Sequence, residues 1–479
     1  MVIRLPYSPQ TIRIQAARLL DEILLIVPRN LSNVGALQAE VQGRVLDVLS
    51  QQVILDPTPA ASQQTSTSVE LRRMGLETLH QILQVVGHTI VAGWEIIFKM
   101  LESVCRPPTY SGSMATLPSR STSSDSLALS TSSTVISRKA KLAPLQIGLG
   151  NPSEKSYSTL VKIAFQSLTL VCDSVSSLSS EHLRLCIGTL GQFGRQADTN
   201  IALTATASLL WSVSDAIQSK RKNLEEEPQY SGLWMLLLLE LLGLCTDPRA
   251  EVRDGAIQTL FRTVQLYGAT LNSETWDQCI WTIIFPLLVA LTSEIRNLVE
   301  LQKELDLTQA WDESKILALA SVGSIFSDFL VSKIMLLDSY PKIWDVFLGH
   351  VEETVLLDNR VITPHVLRCL ERGVKAFAGA EGVLKVQVME SLERAWQAID
   401  SLGKATLDDY ASEIIPSQPL TQETLIAFVD LIQSVRSASR DIDGKEWDLS
   451  KLTRLMVIMK GTSSFSSRHL SLTNFLQEF

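Results

Sequence analysis

The chain has 479 residues, 46% of them hydrophobic, with a mean hydropathy of +0.17, a formal net charge of -9 and a pI near 5.4. That length exceeds what one compact core normally holds, so either several domains or one elongated array is implied. The acidic balance argues against a nucleic-acid binder, because affinity for a phosphate backbone needs a surplus of Lys and Arg on one face.

From the start of the chain, MVIRLPYSPQ lacks the long apolar core of a signal peptide, and a helix predicted over Thr11–Val27 begins with no capping element before it. A nine-residue pattern, aliphatic-x-x-x-small-x-x-x-aliphatic, first occurs here at Ile12-Ala16-Leu20. It recurs at Leu71-Gly75-Leu79, Leu160-Ala164-Leu168, Ile201-Ala205-Leu209, Val252-Ala256-Leu260 and Leu317-Ser321-Ile325. Four-residue steps nearly complete a helical turn, so each copy falls on one face. The start-to-start steps are 59, 89, 41, 51 and 65 residues, a range that suits helical hairpins with variable loops. The small central residue lets a partner helix approach closely, and a Leu there would overpack the contact. Leu384-Val388-Leu392 is a seventh copy with a larger middle residue.

Two stretches break the helical pattern. Asp56–Ser68 is a short polar loop, and Pro107–Ser156 is dominated by Ser and Thr around STSSDSLALSTSSTVIS. The longer one lacks the apolar mass to offset ordering entropy and is expected to be disordered. Its hydroxyls are open to phosphorylation, with Arg138, Lys139 and Lys141 nearby; the alternative is a tolerated surface insertion. Strand signals are scarce, and the single Asp-Gly, Asp443-Gly444, lies in a polar loop.

Further along, Gly188-x-x-Gly191-x-x-Gly194 superficially resembles a phosphate-cradling loop. Such loops follow a buried strand, whereas Glu181–Ile187 has a helical pattern. The glycines are therefore taken as a helix terminator and tight turn, with Asp198 or Thr199 capping the next helix. The run Lys220-Arg221-Lys222 is followed at once by Glu225-Glu226-Glu227 and forms a solvated charged turn. Leu233–Trp276 is the clearest unit, two antiparallel helices around a short turn. Asp247 is expected to cap the second helix through its carboxylate, with Pro248 in the first helical position and Val252, Ala256, Leu260 and Val264 on one face. Such a unit cannot bury both faces alone and must stack on neighbours. The apolar run Leu233–Leu244 is interrupted by Glu240 and is too short to span a bilayer, so any membrane association should be peripheral.

Beyond Leu407 the character shifts. Helices are predicted over Leu425–Val435 and Leu449–Met459, followed by the Ser-rich tail GTSSFSSRHLSLTNFLQEF, and both ends look like cuts through a longer solenoid. The expected organisation is helical repeats over 1–105, a disordered Ser/Thr-rich linker over 106–156, helical repeats over 157–405, and carboxy-terminal helices with an irregular tail over 406–479. The fold class is all-α, a HEAT/armadillo-like α-solenoid.

Chemistry-bearing residues do not cluster. Cys105, Cys172, Cys186, Cys245, Cys279 and Cys369 are widely spaced in apolar contexts, as expected of buried reduced thiols in a cytosolic protein. His80, His88, His182, His350, His365 and His469 pair with no carboxylate or thiol at metal spacing. No nucleophile-elbow, P-loop or zincin motif occurs. No catalytic, cofactor-binding or metal-ligating residue is assigned, and no enzyme activity is expected. Trp94, Trp211, Trp234, Trp276, Trp281, Trp311, Trp344 and Trp396 are mostly core anchors, an exposed subset being candidate binding hot spots.

The segments LRLCIGTLGQFGRQADTNIALTATASLLWSVSDAI (Leu183–Ile217) and CTDPRAEVRDGAIQTLFRTVQLYGATLNSETW (Cys245–Trp276) resemble the Mon-two (Mon2) family, large non-catalytic relatives of the Sec-seven/BIG Arf exchange factors. The resemblance extends to Leu71–Leu101, Ile280–Leu288 and Trp344–Glu352, and covers most of Thr11–Gly461. Asp247 and Arg253, six apart, have the spacing of the Asp and Arg of HEAT repeats, which implies hydrogen-bonded ladders between units. The resemblance implies the carboxy-terminal helical region of a peripheral membrane scaffold at the trans-Golgi network and endosomes, acting in endosome-to-Golgi and vesicle-mediated transport. Its implied partners are a Dopey-type protein, an Arf-like small GTPase and phospholipid flippases; no cofactor, small-molecule substrate or nucleic acid is implied. The alternatives are an Arf-type guanine-nucleotide exchange regulator and an importin-like cargo receptor.

Overall fold

The computed structural model describes residues 8–31, 35–54, 66–105, 152–220, 227–300, 305–356, 359–382, 384–411, 421–444 and 447–466. Among these residues all regular structure is helical. The helices are α1 (Gln10–Leu31), α2 (Gly35–Val53), α3 (Ser66–Val86), α4 (Trp94–Glu102), α5 (Pro152–Asp173) and α6 (Ser180–Gly194). Next come α7 (Thr199–Leu203), α8 (Leu210–Lys220), α9 (Glu227–Leu244), α10 (Ala250–Tyr267), α11 (Ser273–Cys279) and α12 (Phe285–Glu300). The last six are α13 (Leu305–Phe329), α14 (Tyr340–Leu356), α15 (Thr363–Ala376), α16 (Leu384–Ala411), α17 (Gln422–Asp443) and α18 (Leu449–Ser466). The polar loop Asp56–Ser68 and the stretch Pro107–Ser156 lie mostly outside the described residues, as does the tail from 467. Pro152, with its φ already set for a first helical position, opens α5 inside what the sequence suggested was linker.

Two layers result. α1, α3, α5, α7–α8, α10, α13, α15 and α17 follow one another in the first, with α8 seated against the turn that ends α5. In the second layer α2, α4, α6, α9, α11–α12, α14, α16 and α18 stack in order. The described residues thus form eight stacked hairpins, an α-solenoid. First-layer helices start 56, 86, 47, 51, 55, 58 and 59 residues apart. The sequence pattern located six of these eight helices. It missed α15, where the central residue of the buried line Val366-Leu370-Val374 is a Leu, and α17, where the small Ala427 leads Leu431 and Val435. The copy at Leu384 belongs to α16 and therefore to the second layer.

Burial corrects the register of two copies. Ile12 is 49% exposed and Ala17, not Ala16, is the fully buried small residue of α1. In α13 the buried line is Ser314-Ala318-Val322-Phe326-Leu330-Ile334, while Leu317 and Ser321 are only half-buried. The copies at Leu71, Leu160, Ile201 and Val252 are buried throughout.

That α13 line keeps strict four-residue steps, and so do Trp276-Ile280-Ile284-Leu288-Thr292 and Ile201-Ala205-Leu209-Val213-Ile217. In an ideal α-helix each such step drifts by about 40°, so four steps would carry the stripe well off the core. Each of the three helices contains a π turn: Thr204–Leu209 between α7 and α8, Ile280–Ile284 between α11 and α12, and Leu330–Ile334 after α13. A π turn takes up more residues than an α turn and resets the stripe.

The joints recur. α3, α5, α10 and α15 each end in a single 3-10 turn, after which Ile90, Leu178, Leu271 and Ala380 extend and donate their N–H back to the first residue of that turn. Lys220 donates to the Leu178 carbonyl and Lys333 to the Leu271 carbonyl at 3.3 Å, each from the following first-layer helix or its π extension. Across the second layer, Arg195–Glu240 (2.8 Å), Arg296–Glu353 (2.8 Å), Arg394–Asp345 (2.7 Å), Lys451–Glu393 and Arg454–Asp400 link successive units. Most are solvent-exposed and worth at most about 1 kcal/mol each, so they tune register while the continuous apolar core supplies cohesion.

The sequence suggested that no stretch could span a bilayer. Two helical runs, Ser273–Glu300 and Leu307–Ile334, are nevertheless long and apolar enough to do so by length and composition. In both, 56% of the apolar window is buried in the array, where α12 and α13 pack on each other. Stacking on both sides demands that apolar content, as in any helix enclosed by neighbours.

Candidate functional site

The densest polar construction among the described residues is the seam around the α9–α10 turn, where Asp247 and Arg253 were expected to bridge repeats. Asp247 does not cap α10. Its Oδ1 accepts the Arg249 backbone N–H at 2.9 Å and the Arg249 Nε at 2.8 Å, while Oδ2 accepts a guanidinium N–H at 2.8 Å. This turn closes two residues before the helix, so Arg249 occupies the cap position without a side-chain cap bond and Pro248 precedes α10. Burial works against the Asp247 carboxylate. The Arg249 side-chain and backbone donors, with the charges of Arg249 and Arg253, outweigh it and hold the pKa below the usual carboxylate value.

Arg249 and Arg253 point in opposite directions along the array. Arg249 donates backward to the Gln196 carbonyl at 2.8 Å, in the α6–α7 turn. Arg253, fully buried, donates forward: Nε to Ser314 Oγ at 2.7 Å and Nη2 to the Ala310 carbonyl at 3.0 Å, both on α13. Its Nη1 bonds the Asp247 backbone carbonyl at 2.9 Å, and the guanidinium lies 3.9 Å from the Trp311 ring centroid. Ser314 passes its own hydroxyl proton to Asp254 or the Ala310 carbonyl. Burial lowers the Arg253 pKa, with Asp254 and Asp247 opposing the shift. Arg253 is thus the inter-repeat bridge, but through the backbone of Asp247 rather than its carboxylate. Arg249 is a second bridge that the spacing argument did not contain.

The arrangement binds helix to helix. A second buried cation, Lys315, donates to the Leu288 carbonyl at 2.8 Å and Thr292 Oγ1 at 2.7 Å, and burial pulls its pKa down to about 8. Among the described residues no three His, Cys, Asp or Glu side chains are grouped so as to hold a metal ion. His80 contacts Ser167 and Gln84. His182 lies near Trp94 and His350 near Phe285, both with pKa lowered chiefly by burial, as is that of His365. His88 is exposed, and His469 is outside the described residues.

All six cysteines are free and buried. Cys172 on α5 and Cys186 on α6 are neighbours, a proximity hidden by their separation in sequence; the adjoining thiol and burial raise the Cys172 pKa. Burial likewise pushes up the thiols of Cys245, Cys279 and Cys369, which makes them poor nucleophiles.

Gly188, Gly191 and Gly194 all lie within α6 and are not a turn. A Cβ on Gly191 would sit 2.1 Å from Glu240 Oε2 and one on Gly194 2.8 Å from Leu244 Cδ1, so these two positions permit the close approach of α9. The chain turns after Arg195, and Asp198 caps α7 by accepting the N–H groups of Asn200 and Ile201. Trp94, Trp234, Trp276, Trp311, Trp344 and Trp396 are buried. Trp447 packs at a tilt against Trp396, with ring centroids 4.5 Å apart and ring planes 58° to one another. Trp211 and Trp281 are half-buried beneath Arg262 and Lys342.

Residues 223–388, which contain this seam, match the model of the C-terminal region of Mon2 protein. The Mon2 homolog of Drosophila melanogaster is 30% identical over 254 residues, 47% of this chain and 15% of that protein. The Homo sapiens homolog is 28% identical over 271 residues, 48% of this chain and 16% of that protein. The Schizosaccharomyces pombe homolog is 26% identical over 340 residues, 66% of this chain and 18% of that protein. The chain therefore spans less than a fifth of the length of these relatives. On the match of residues 223–388 to the C-terminal model and on these relatives from separate species, the chain is similar to the C-terminal region of Mon2 proteins.

Proposed function

We propose that the chain is a non-enzymatic scaffold of vesicle-mediated protein transport, offering a helical-repeat surface to trafficking proteins on the cytosolic face of trans-Golgi network and endosome membranes. The observation that supports this most is the unbroken stacking of eight hairpins into one array among the described residues, joined by interior polar bridges. An extended two-layer solenoid offers a wide surface and devotes its buried polar groups to cohesion, a combination suited to holding partners. Similarity to the C-terminal region of Mon2 proteins directs the proposal to membrane traffic. The partner classes are a Dopey-type protein, an Arf-like small GTPase and a phospholipid flippase.

Co-precipitation of the purified chain with a Dopey-type protein tests this reading. Enrichment that is lost when Arg249 and Arg253 are replaced together, and kept by the intact array, is the expected result. Failure of a well-folded chain to enrich the partner would overturn the partner claim. Accelerated nucleotide release from an Arf-type GTPase by the chain alone would overturn the non-enzymatic one.

A further inference from the structure

Where α1, α2 and α3 meet, the structure buries a carboxyl group with no cation beside it. Asp21 of α1 is 8% exposed, and its neighbours Gln52 of α2 and Thr78 of α3 are 3% and 4% exposed. The Thr78 and Gln52 side chains lie beside the carboxyl group, and the Gln52 amide N–H reaches the Leu71 carbonyl at 3.1 Å. Two oxygens are left over: Asp21 Oδ1 and Gln52 Oε1 are both buried without a hydrogen-bond partner. Both are acceptors, so the cluster lacks a donor. A buried acceptor without one costs about 1–3 kcal/mol, and a buried charge costs more.

The surroundings offer no other remedy. From α3 the facing charge is Glu77, a like charge that disfavours an Asp21 anion further and is itself paired with Arg73. From α2 the facing group is the neutral Gln52. On α1 the adjacent acid is Glu22, which is exposed, while Arg18 acts on Glu70 of α3. Gly75 closes α3 onto α2, where even a Cβ would lie 2.8 Å from Val53 and 3.3 Å from the Gln52 side chain. The apolar seating of α1 is thin at this level. Ala17 packs with Leu71 and Met74 in a small cluster separate from the main core, and one turn beyond Asp21 the helix reaches that core through Leu24.

We propose that Asp21 is a proton-operated latch: the neutral acid seats α1 on α2 and α3, and ionisation loosens that helix. The proton supplies the missing donor and removes the charge in one step. Burial, opposed by the Thr78 and Gln52 side chains and aided by Glu77, lifts the Asp21 pKa to about 6. A group whose pKa is raised on folding contributes stability that is present in full below its unfolded value and is lost as pH rises through the folded one. The window therefore lies between about pH 4 and pH 7, and α1 is weakly latched at neutral pH.

Amide hydrogen exchange of the whole chain, corrected for intrinsic rates, tests the latch. Protection of α1 amides should fall about tenfold between pH 5 and pH 7.5, following the proton-linkage relation, while α10 and α13 stay level. Asp21→Asn should flatten the α1 profile, and Glu22→Gln, altering an exposed neighbour, should leave it sloping. A flat α1 profile in the unaltered chain would overturn the proposal whatever the variants do. An equal slope in Asp21→Asn would overturn it as well.

Discussion

Arg253 Nε donates to Ser314 Oγ at 2.7 Å, joining α10 to α13 across 61 positions of sequence. The guanidinium is fully enclosed, lies over the Trp311 ring, and is hydrogen-bonded to the Asp247, Pro248 and Ala310 backbone carbonyls as well. Arg253→Met keeps much of the length and leaves the Asp247 and Ala310 carbonyls with a lost donor. Stability should fall by about 1–3 kcal/mol, the usual loss for a buried group left unpaired. An unchanged denaturation midpoint by circular dichroism would show that the bridge contributes nothing net.

Two glycines should respond oppositely to the same added methyl. A Cβ on Gly268 would lie 2.8 Å from the Trp276 ring and 3.1 Å from Phe329, both rigid and enclosed. Gly268→Ala should therefore cost about 1–3 kcal/mol through overpacking. Gly188, within α6, has nothing within 4 Å of its would-be Cβ. Gly188→Ala should stabilise by about 0.5–1 kcal/mol, since glycine is the poorer helix former. Paired thermal melts decide both.

Ala256 is fully buried in α10 between neighbouring first-layer helices. Ala256→Leu should destabilise by about 1–3 kcal/mol. A neutral melt would mean that the array can spread locally at little cost.

Lys315 supplies a pH test. Its pKa is lowered by burial from 10.5 to about 8, with Glu353 and Cys369 opposing the shift. Because the folded value lies below the unfolded one, the protonated amine detracts from stability below pH 8, and that deficit fades as pH rises toward 10.5. Lys315→Met removes that charge together with the hydrogen bonds to Leu288 and Thr292, so relative to the unaltered chain the variant should be better placed at pH 7 than above pH 10.5, by roughly 3 kcal/mol from about two and a half pKa units. Its relative stability should decline between pH 8 and pH 10.5; a constant difference would assign the effect to packing alone.

The all-α solenoid was legible in the sequence because four-residue spacing of apolar and small residues is a local property of one helix. The copies at Leu160 and Val252 lie where the pattern put them, buried from end to end. What escaped was non-local. Arg249 looks like any charged turn residue until Gln196 is brought beside it, and Cys172 meets Cys186 only once α5 and α6 have folded back. The three glycines of α6 misled because glycine usually ends helices, whereas here Gly191 and Gly194 make room for α9. The Asp247 spacing identified the right bridge but the wrong acceptor, since sequence cannot say whether a side chain meets a carboxylate or the carbonyl behind it.

The π turns at Thr204–Leu209, Ile280–Ile284 and Leu330–Ile334 bear on how such a chain can change over generations. One residue added to a regular helix rotates everything beyond it by about 100°, turning a buried face toward water. A turn that accommodates the extra residue locally spares the remainder, so single-codon gains in these helices need not disrupt the stack. In α13 the buried line runs straight into such a turn, from Ser314 to Ile334, without losing its face. Three neighbouring units carry the same provision, which makes their lengths negotiable while their order stays fixed.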